Sequence, residues 1–379
     1  MQKFLILLSF TLLLVSCKSD TKKEIEQIDE LPIETNITYA KGFEIHHFNG
    51  YKTITLKNPW PGAEEVFTYA LINKGTKISS PEIYDAVIEV PVKKIVVTST
   101  THIPSLEMLE ETAALVGFPN LDYISSEETR KRIEAGKITE LGKNEDINTE
   151  VLIDLSPDVV VSFAVDGNNS TLNIIQKTGI PVVYNADWTE TSPLGKAEWI
   201  KFFGAFFNKE KEADSIFSTI ETEYLAAKKI ASEAQTQPTV LSGAMYKDVW
   251  YLPQGDSWVS QFIADANGHY LWKESSGTGS LSLNLESVLE KGKNADFWIG
   301  PGHFISLQQM KDTHSVYSEF KAYKNGNVFS FTNKKGATGG VLYYELAPNR
   351  PDLVLKDIIK ILHPELLLEY QPYFFSKLQ

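Results

Sequence analysis

Cysteine is almost absent from this chain, since Cys17 is the only one among 379 residues. A single thiol cannot build an intramolecular disulfide framework, and it excludes zinc sites made of several cysteines. Arginine is also scarce, with only Arg130, Arg132 and Arg350, and no basic cluster offsets the formal net charge of −13. Because an acidic surface repels phosphate backbones, the composition argues against nucleic-acid binding.

Catalytic signatures are missing as well. The sequence contains no Gly-x-Ser-x-Gly elbow, no Walker phosphate loop and no His-Glu-x-x-His zinc motif. These absences argue against an enzyme, and a lipid-anchored hydrolase is the weakest of the alternatives that we keep.

The length of the chain, 379 residues, is typical of two domains.

The first apolar run is too short to cross a bilayer. It extends over residues 4–15 behind Lys3, whereas a membrane-spanning helix needs about 20 apolar residues. Such a run is typical of a signal peptide, which we assign to residues 1–16. Residue 17 is a cysteine, which could be lipidated or could follow an ordinary secretory signal by chance.

The run ends in Leu-Val-Ser-Cys at residues 14–17, which resembles the lipobox of bacterial lipoproteins. In that family the cysteine is diacylated, so the resemblance implies lipidation of Cys17. Two acyl chains anchor a protein stably. We therefore predict a lipidated tether over residues 17–37 and an extracytoplasmic location on a bacterial membrane, in the periplasm or at the cell surface.

The pattern of the chain after the tether predicts a β region first and α/β structure after it. Alternating stretches over residues 38–90 predict a small antiparallel β region. From residue 93 onward, buried-strand runs such as KKIVVTS and PDVVVSF are separated by helical patterns, the first of them over about residues 103–115. This order predicts a parallel sheet with right-handed crossovers.

The second half repeats the plan after one long helical pattern. Apolar residues recur at three- and four-residue spacing over residues 208–234, which predicts a single helix of roughly 39 Å. We therefore predict an amino-terminal α/β lobe at 38–200, connecting helices at 201–236 and a carboxyl-terminal α/β lobe at 237–379.

One short motif occurs once in each predicted lobe. Asn148 precedes Glu150, Asn284 precedes Glu286, and in both places an apolar-spaced stretch leads to an Asp and a predicted strand. Asn favours the N-cap of a helix, and a carboxylate in the first turn is stabilised by the helix dipole, so neither glutamate alone needs a function. The pair, however, could form a symmetric acidic docking surface for a partner that carries arginines.

These motifs make the chain similar to the substrate-binding lipoproteins of ABC importers for iron–siderophores, haem and cobalamin. The resemblance extends over about residues 92–363 and rests on Asn148-Thr149-Glu150, on Pro157-Asp158 with the strand that follows, and on the opening strand VKKIVVTST. It implies two α/β lobes joined by a long helix, with a metal chelate bound between them. It also implies that Glu150 and Glu286 contact a dimeric ABC permease, one from each lobe, and that the receptor is a monomer.

The ligand should lie at loops that follow the predicted strands, such as STTHIP at 99–104, AMYKDVWYLP at 244–253 and GPGHF at 300–304. Aromatic residues in these loops suit a bulky chelate, and two arginines could neutralise an anionic one. We expect no cofactor and no direct metal ligand. The candidate ligand-binding residues are Thr101, His102, Tyr123, Arg130, Arg132, Trp188, Tyr246, Trp250, Tyr251 and His303.

Several ligands stay open at this point. Cobalamin receptors of this class tend to carry a tryptophan shortly before the Asn-x-Glu motif, but residues 140–147 contain no aromatic residue. A ferric siderophore is therefore preferred over cobalamin and haem. A receptor for free zinc or manganese would use several histidines, for which His102, His269 and His303 are the candidates.

Overall fold

The computed structural model describes residues 33–379. It begins with a five-stranded sheet, which we call the N-terminal sheet, in the order β1-β2-β3-β4-β5. Neighbouring strands are antiparallel except for β4 and β5, which run parallel. Alternation explains the strands, because Ile54 and Leu56 are buried while Thr55 between them is partly exposed. The strands are Ile33–Glu34 (β1), Phe43–Phe48 (β2), Tyr51–Lys57 (β3), Val66–Asn73 (β4) and Ala86–Val90 (β5).

A second five-stranded sheet is entirely parallel and has the order β12-β11-β6-β7-β8. Its central strands are short apolar runs that are buried on both faces, as in Val159–Ser162. The strands are Ile95–Val97 (β6), Leu115–Phe118 (β7), Thr139–Glu140 (β8), Val159–Ser162 (β11) and Val182–Tyr184 (β12), with a hairpin of Gly142–Lys143 (β9) and Asp146–Ile147 (β10) between β8 and β11.

Helices flank this sheet, and together they form what we call the amino-terminal lobe. The predicted helix over 103–115 is wrong in its second half, because Glu110 adopts a positive φ of 58° and Leu115 begins β7. The helices of this part are Ile103–Met108 (α1), Glu127–Glu134 (α2), Thr149–Leu155 (α3), Ser170–Lys177 (α4), Pro193–Glu198 (α5) and Ile200–Phe207 (α6).

One long helix, Glu210–Ala231 (α7), connects the two halves of the molecule. With 22 residues it is about 33 Å long and shorter than predicted at both ends. It begins after Asn208, whose left-handed conformation separates it from α6, and it ends at Ala231. Its apolar stripe serves two cores: Phe217 packs in the core shared by the N-terminal sheet and the amino-terminal lobe, whereas Tyr224 packs in the second core.

The carboxyl-terminal lobe is built on a sheet in the order β16-β13-β18-β19-β20, of which only the last strand pairs antiparallel. A separate antiparallel sheet, β14-β15-β17, packs beside it. The strands are Thr239–Ser242 (β13), Ala244–Tyr246 (β14), Val249–Pro253 (β15), His269–Tyr270 (β16), Ser280–Leu283 (β17), Phe297–Ile299 (β18), Val328–Ser330 (β19) and Ser376–Lys377 (β20).

The helices of this lobe include one just before β18 and a long helix near the end of the chain. They are Trp258–Asp265 (α8), Leu285–Gly292 (α9), Leu307–Thr313 (α10), Lys321–Lys324 (α11), Leu342–Leu346 (α12) and Pro351–Leu362 (α13). The segment 244–253, which we expected as a cleft loop, is instead the hairpin β14–β15, turned at Lys247 with a positive φ of 56°.

The predicted α/β class is confirmed: two lobes with mainly parallel sheets are joined by one long helix and preceded by a β region. In the part of the chain that the structure describes, we find no helix with the length and apolarity needed to traverse a bilayer. Cys17 and most of the predicted tether lie outside the described residues.

Candidate functional site

The repeated Asn-x-Glu motif begins the same structural unit in both lobes. The Asn148 side chain accepts a hydrogen bond from the backbone N–H of Val151 at 3.1 Å, and Asn284 accepts one from Ser287 at 2.9 Å. Both asparagines are therefore helix N-caps, as predicted. Glu150 and Glu286 each occupy the second helical position, in α3 and α9, and both side chains are exposed.

The aspartate that follows each helix explains the rest of the repeat. Asp158 accepts hydrogen bonds from the backbone N–H groups of Lys93 and Lys94, at 2.7 and 2.8 Å. Asp296 accepts one from the backbone N–H of Thr239 at 2.9 Å. In each lobe the aspartate thus fixes the strand it precedes against the lobe's first strand, β11 to β6 and β18 to β13. The two motifs therefore have equivalent places in the two sheets.

A cavity of about 380 Å³ lies where β13 and β18 end. The carboxyl ends of parallel strands are the usual ligand edge of an α/β sheet. Ser242, Gly243 and Gly300 of the strand ends form its floor, and aromatic side chains form its walls. We call it the aromatic chamber; its aromatic lining consists of Tyr246, Tyr251, Trp258, Phe262, His303, Phe331, Tyr343, Tyr344 and Phe375.

Two further cavities adjoin the aromatic chamber. One of about 340 Å³ lies between the lobes, lined by Thr98, Tyr123 and Asn144 on the amino-terminal side and by Tyr344 on the other, and Tyr344 is shared with the aromatic chamber. We call it the interlobe chamber. The other, of about 630 Å³, shares Trp258 with the aromatic chamber.

Direct hydrogen bonds cross between the lobes beside the interlobe chamber. The carboxylate of Glu345 accepts from the backbone N–H groups of Ser125 and Ser126, at 2.7 and 2.9 Å. Asn349 accepts from the Ser105 hydroxyl at 2.9 Å and donates to the carbonyl of Thr101 at 2.8 Å. Burial raises the pKa of Glu345 to about 7, although the two N–H donors oppose the rise.

Five of the ten candidate ligand-binding residues line these cavities. Tyr246, Tyr251 and His303 contribute to the aromatic chamber, Tyr123 to the interlobe chamber and Trp188 to the cavity of about 630 Å³. All five side chains are exposed. Half of the candidate residues therefore line a cavity, and their role in ligand binding stays a prediction.

Two of the candidates are core residues instead. Trp250 is fully buried, stacks on Trp298 at a centroid distance of 5.3 Å and donates its indole N–H to the carbonyl of Ser242 at 3.1 Å. Strand alternation is the reason, since Trp250 points away from the side on which Tyr251 is exposed. His102 is also fully buried and packs on Phe203.

Burial lowers the pKa of His102, and the neighbouring Asp187 and Asn185 oppose the shift. The ring is therefore a neutral part of the amino-terminal core. Both assignments to the cleft were wrong: Trp250 lies in a strand that directs it into the core, and the turn after β6 directs His102 into the core as well.

The side chains of the remaining three candidates contact other groups of the amino-terminal lobe. The Arg130 guanidinium donates to the carbonyl of Leu121 at 2.8 Å, and that of Arg132 donates to the carbonyl of Ala113 at 3.3 Å. The two hydrogen bonds hold the neighbouring loops against α2, and neither arginine lines the chambers described above. Thr101 is half-buried, and its hydroxyl lies 2.9 Å from that of Ser99.

Several lining residues were missed by the sequence reasoning. Trp258 was read as part of a helix, and Phe331, Tyr343 and Tyr344 follow the last parallel strand in a stretch without a clear pattern. A signal was available, because GNVFSF at residues 326–331 predicts a strand and Phe331 is its last residue. Burial raises the pKa of Tyr343 and Tyr344, so both keep their phenolic protons at neutral pH.

The three histidines considered for a free-metal site lie in different parts of the structure. His102 is in the amino-terminal core, His269 belongs to β16 and His303 faces the aromatic chamber. Within residues 33–379, no group of three His, Cys, Asp or Glu side chains is arranged to hold a metal ion.

Known proteins share this architecture. An uncharacterised lipoprotein of Methanocaldococcus jannaschii is 29% identical over 97% of this chain and 93% of its own length. A possible iron-binding periplasmic solute-binding protein of Staphylococcus epidermidis has a TM-score of 0.57 at 17% identity, covering 72% of this chain and 99% of that chain. For an ABC-type Fe3+-hydroxamate transport protein of Saccharomonospora viridis, the TM-score is 0.53 at 16% identity, covering 72% and 94%. At these identities, the two structural likenesses concern the fold.

The sequence model of the periplasmic binding protein family matches residues 95–334, well over half of the chain. The match begins at the first residue of β6, so the N-terminal sheet lies before it. Members of this family bind solutes and do not catalyse reactions. The chain therefore belongs to the periplasmic binding protein family, and it is a binding protein rather than an enzyme.

Proposed function

We propose that this protein is an extracytoplasmic, lipid-anchored receptor that binds a metal chelate, with a ferric siderophore as the preferred cargo, and delivers it to an ABC importer. The observation that carries the proposal is the aromatic chamber, which lies at the carboxyl ends of the carboxyl-terminal strands and borders the interlobe chamber. Flat aromatic side chains bury a large organic surface with little loss of side-chain entropy. A chelate already supplies all donors to its metal, so the receptor needs no metal ligands of its own.

Two of the structural relatives support iron as the metal. The Staphylococcus epidermidis protein is described as possibly iron-binding, and the Saccharomonospora viridis protein belongs to a system for Fe3+-hydroxamate. Haem or cobalamin would use the same aromatic walls and remain alternatives within this class. A free zinc or manganese ion fits less well, because the three candidate histidines do not converge.

The partner in our proposal is a dimeric permease that receives one lobe through Glu150 and the other through Glu286. Both carboxylates are exposed at the starts of equivalent helices, and neither forms an ion pair within residues 33–379. Free carboxylates of this kind suit arginines on a partner, which bind them with two parallel hydrogen bonds. The receptor acts as a monomer in this scheme.

The anchor and the domain limits complete the proposal. The archaeal relative is named a lipoprotein, which agrees with lipidation at Cys17 after removal of residues 1–16. The tether of residues 17–37 would then connect the lipid to lobes at 38–200 and 237–379, with connecting helices at 201–236.

Tryptophan fluorescence tests the ligand class. Trp188 and Trp258 line cavities, so a ferric chelate bound there should quench their emission in a saturable way. The titration uses chelator-treated protein and compares ferric siderophores, haemin, cobalamin and zinc ions. We expect saturation with at least one ferric siderophore at a dissociation constant of about 1 μM or less, that is, about 8 kcal/mol of binding free energy. Saturation by zinc alone would show that the ligand class is wrong.

A further inference from the structure

The largest of the three cavities described above is built partly by the N-terminal sheet, which lies outside the region matched by the family model. Its volume is about 630 Å³, and its lining comes from three parts of the chain: the N-terminal sheet, the loop that follows β12, and the carboxyl-terminal lobe. We call it the sheet chamber. The residues used below are Lys41, Trp60, Trp188, Glu190, Lys196 and Trp258.

The connection between β3 and β4 forms one wall of the sheet chamber and is firmly held. Its sequence Pro59-Trp60-Pro61 restricts the backbone, because proline fixes φ. The Trp60 ring meets Tyr184 edge-on at a centroid distance of 6.1 Å and approaches Gly167, where an added Cβ would lie 3.3 Å from the indole. Since Tyr184 ends β12, this contact fixes the connection at the ligand edge of the amino-terminal sheet.

One carboxylate oxygen of Glu190, the acidic residue of the sheet chamber, already accepts three hydrogen bonds. The carboxylate of Glu190 accepts from the backbone N–H groups of Lys41 and Gly42, at 2.8 and 2.9 Å, and from the indole of Trp199 at 3.1 Å. The residue is buried, and these bonds compensate its charge. They also attach the N-terminal sheet to the amino-terminal lobe.

The basic residues have unused capacity. Lys196 is only 8% exposed, and its ammonium group donates to the carbonyls of Asp187 and Trp188, at 3.1 and 3.0 Å, while lying 5.4 Å from the centre of the Trp258 ring. An ammonium group has three donors, so one remains. In residues 33–379, no carboxylate forms an ion pair with Lys196 or with the exposed Lys41.

The geometry points to the sheet chamber as a subsite for an anionic arm of the cargo, a free carboxylate on the chelate, held by Lys41 and Lys196 between Trp60 and Trp188. This inference rests on the proposed function, since Trp258 borders both this chamber and the aromatic chamber, and one chelate could extend across it. A carboxylate would take up the free ammonium donor of Lys196, and hydrogen bonds between charged groups are stronger than those between neutral groups. The N-terminal sheet thereby becomes a specificity element that this chain adds to the family fold.

The test compares two probes and two variants by tryptophan quenching. Ferric citrate carries free carboxylates, whereas a neutral ferric trihydroxamate does not. We expect Lys41→Gln combined with Lys196→Gln to weaken ferric citrate binding by about tenfold or more, corresponding to about 1.4 kcal/mol or more, and the neutral chelate by less than about twofold. Lys211→Gln, at an exposed lysine at the start of α7, is the control and should change neither.

Lys41→Gln alone keeps the test valid if the buried Lys196 proves necessary for folding, and it should cost ferric citrate binding about threefold. Equal losses for both chelates, or none for either, would overturn the inference while leaving the receptor function intact. Free citrate gives a separate readout: it should raise the melting temperature of the wild type more than that of the double variant. If citrate stabilises the wild type in this way but no ferric chelate binds, the chamber assignment stands and the proposed function fails.

Discussion

The carboxylate of Glu345 in α12 accepts a hydrogen bond of 2.7 Å from the backbone N–H of Ser125 in the opposite lobe. Glu345 is almost fully buried, and its pKa is raised to about 7 by that burial. The contact between the lobes therefore contains a carboxyl group that titrates near neutral pH. A protein that closes on a ligand could be sensitive to pH through this one residue.

The pH dependence of stability follows from the direction of this shift. Because the folded-state pKa of Glu345 lies above its usual value of about 4.5, its contribution to stability is full below that value and is lost as pH rises through about 7. Between pH 5 and pH 8, the free energy of unfolding should fall by up to about 3 kcal/mol from this group. Urea titrations at several pH values measure the change.

Glu345→Gln removes the titration but keeps a carbonyl acceptor for Ser125. Between pH 5 and pH 8, the free energy of unfolding of this variant should fall by about 1 to 3 kcal/mol less than that of the wild type. Glu369→Gln, at an exposed position near the carboxyl terminus, is the matched control and should follow the wild type. Parallel curves for wild type and Glu345→Gln would refute the role of this carboxyl group.

Close packing across the same contact yields a second prediction. A Cβ added at Gly336 would lie 2.6 Å from the Cα and the carbonyl oxygen of Ser125, and backbone atoms cannot move aside as a flexible side chain can. Gly336→Ala should therefore push the lobes apart, at a cost of about 1 to 3 kcal/mol, and increase the radius of gyration in small-angle scattering. Ala337→Ser also adds one heavy atom, at the exposed neighbouring position, and should leave the scattering curve unaltered.

The sequence was most informative where a local rule determines the structure. Asn148 and Asn284 cap their helices because an Asn side chain can reach the backbone N–H groups of the first turn, whatever surrounds it. The β-branched run at Val159–Ser162 could only be a buried strand once helices were expected on both sides of it. The fold class followed from such local patterns in their order along the chain.

Side-chain direction was not predictable at the same level. The segment that contains Trp250 and Tyr251 was read as a loop with both rings in the cleft, but it forms β15, which directs them to opposite sides. The sheet chamber was also out of reach, because residues 41, 60 and 196 meet only through tertiary contacts between the N-terminal sheet and the lobes. Long-range packing of this kind leaves no periodic pattern in the sequence.

This difference between two adjacent aromatic residues can be measured. Trp250→Ala should lower the free energy of unfolding by about 3 to 5 kcal/mol, since it empties a fully buried site next to Trp298. Tyr251→Ala should lower it by less than about 1 kcal/mol, because 42% of that side chain is exposed, yet weaken chelate binding at least about fivefold. Urea unfolding and quenching titrations on both variants give the two values. Comparable loss of stability in both variants would contradict the alternation.

The docking role of the paired glutamates is the prediction on which delivery depends. Glu150→Ala combined with Glu286→Ala should reduce permease-dependent uptake by at least about tenfold and change chelate affinity by less than about twofold, because neither residue lines the aromatic or sheet chamber. Each single variant should lose part of the uptake, since one lobe still carries its carboxylate.

A matched control is available on the same two helices. Asp154 lies in α3 and Glu290 in α9, and both are exposed acids beyond the first helical turn. Asp154→Ala combined with Glu290→Ala removes the same net charge from the same elements, so it separates a specific contact from general electrostatic attraction. If uptake fell equally in both double variants, the permease would be responding to the acidic surface as a whole rather than to the two N-terminal glutamates. Unchanged uptake after Glu150→Ala with Glu286→Ala would rule out docking through these residues.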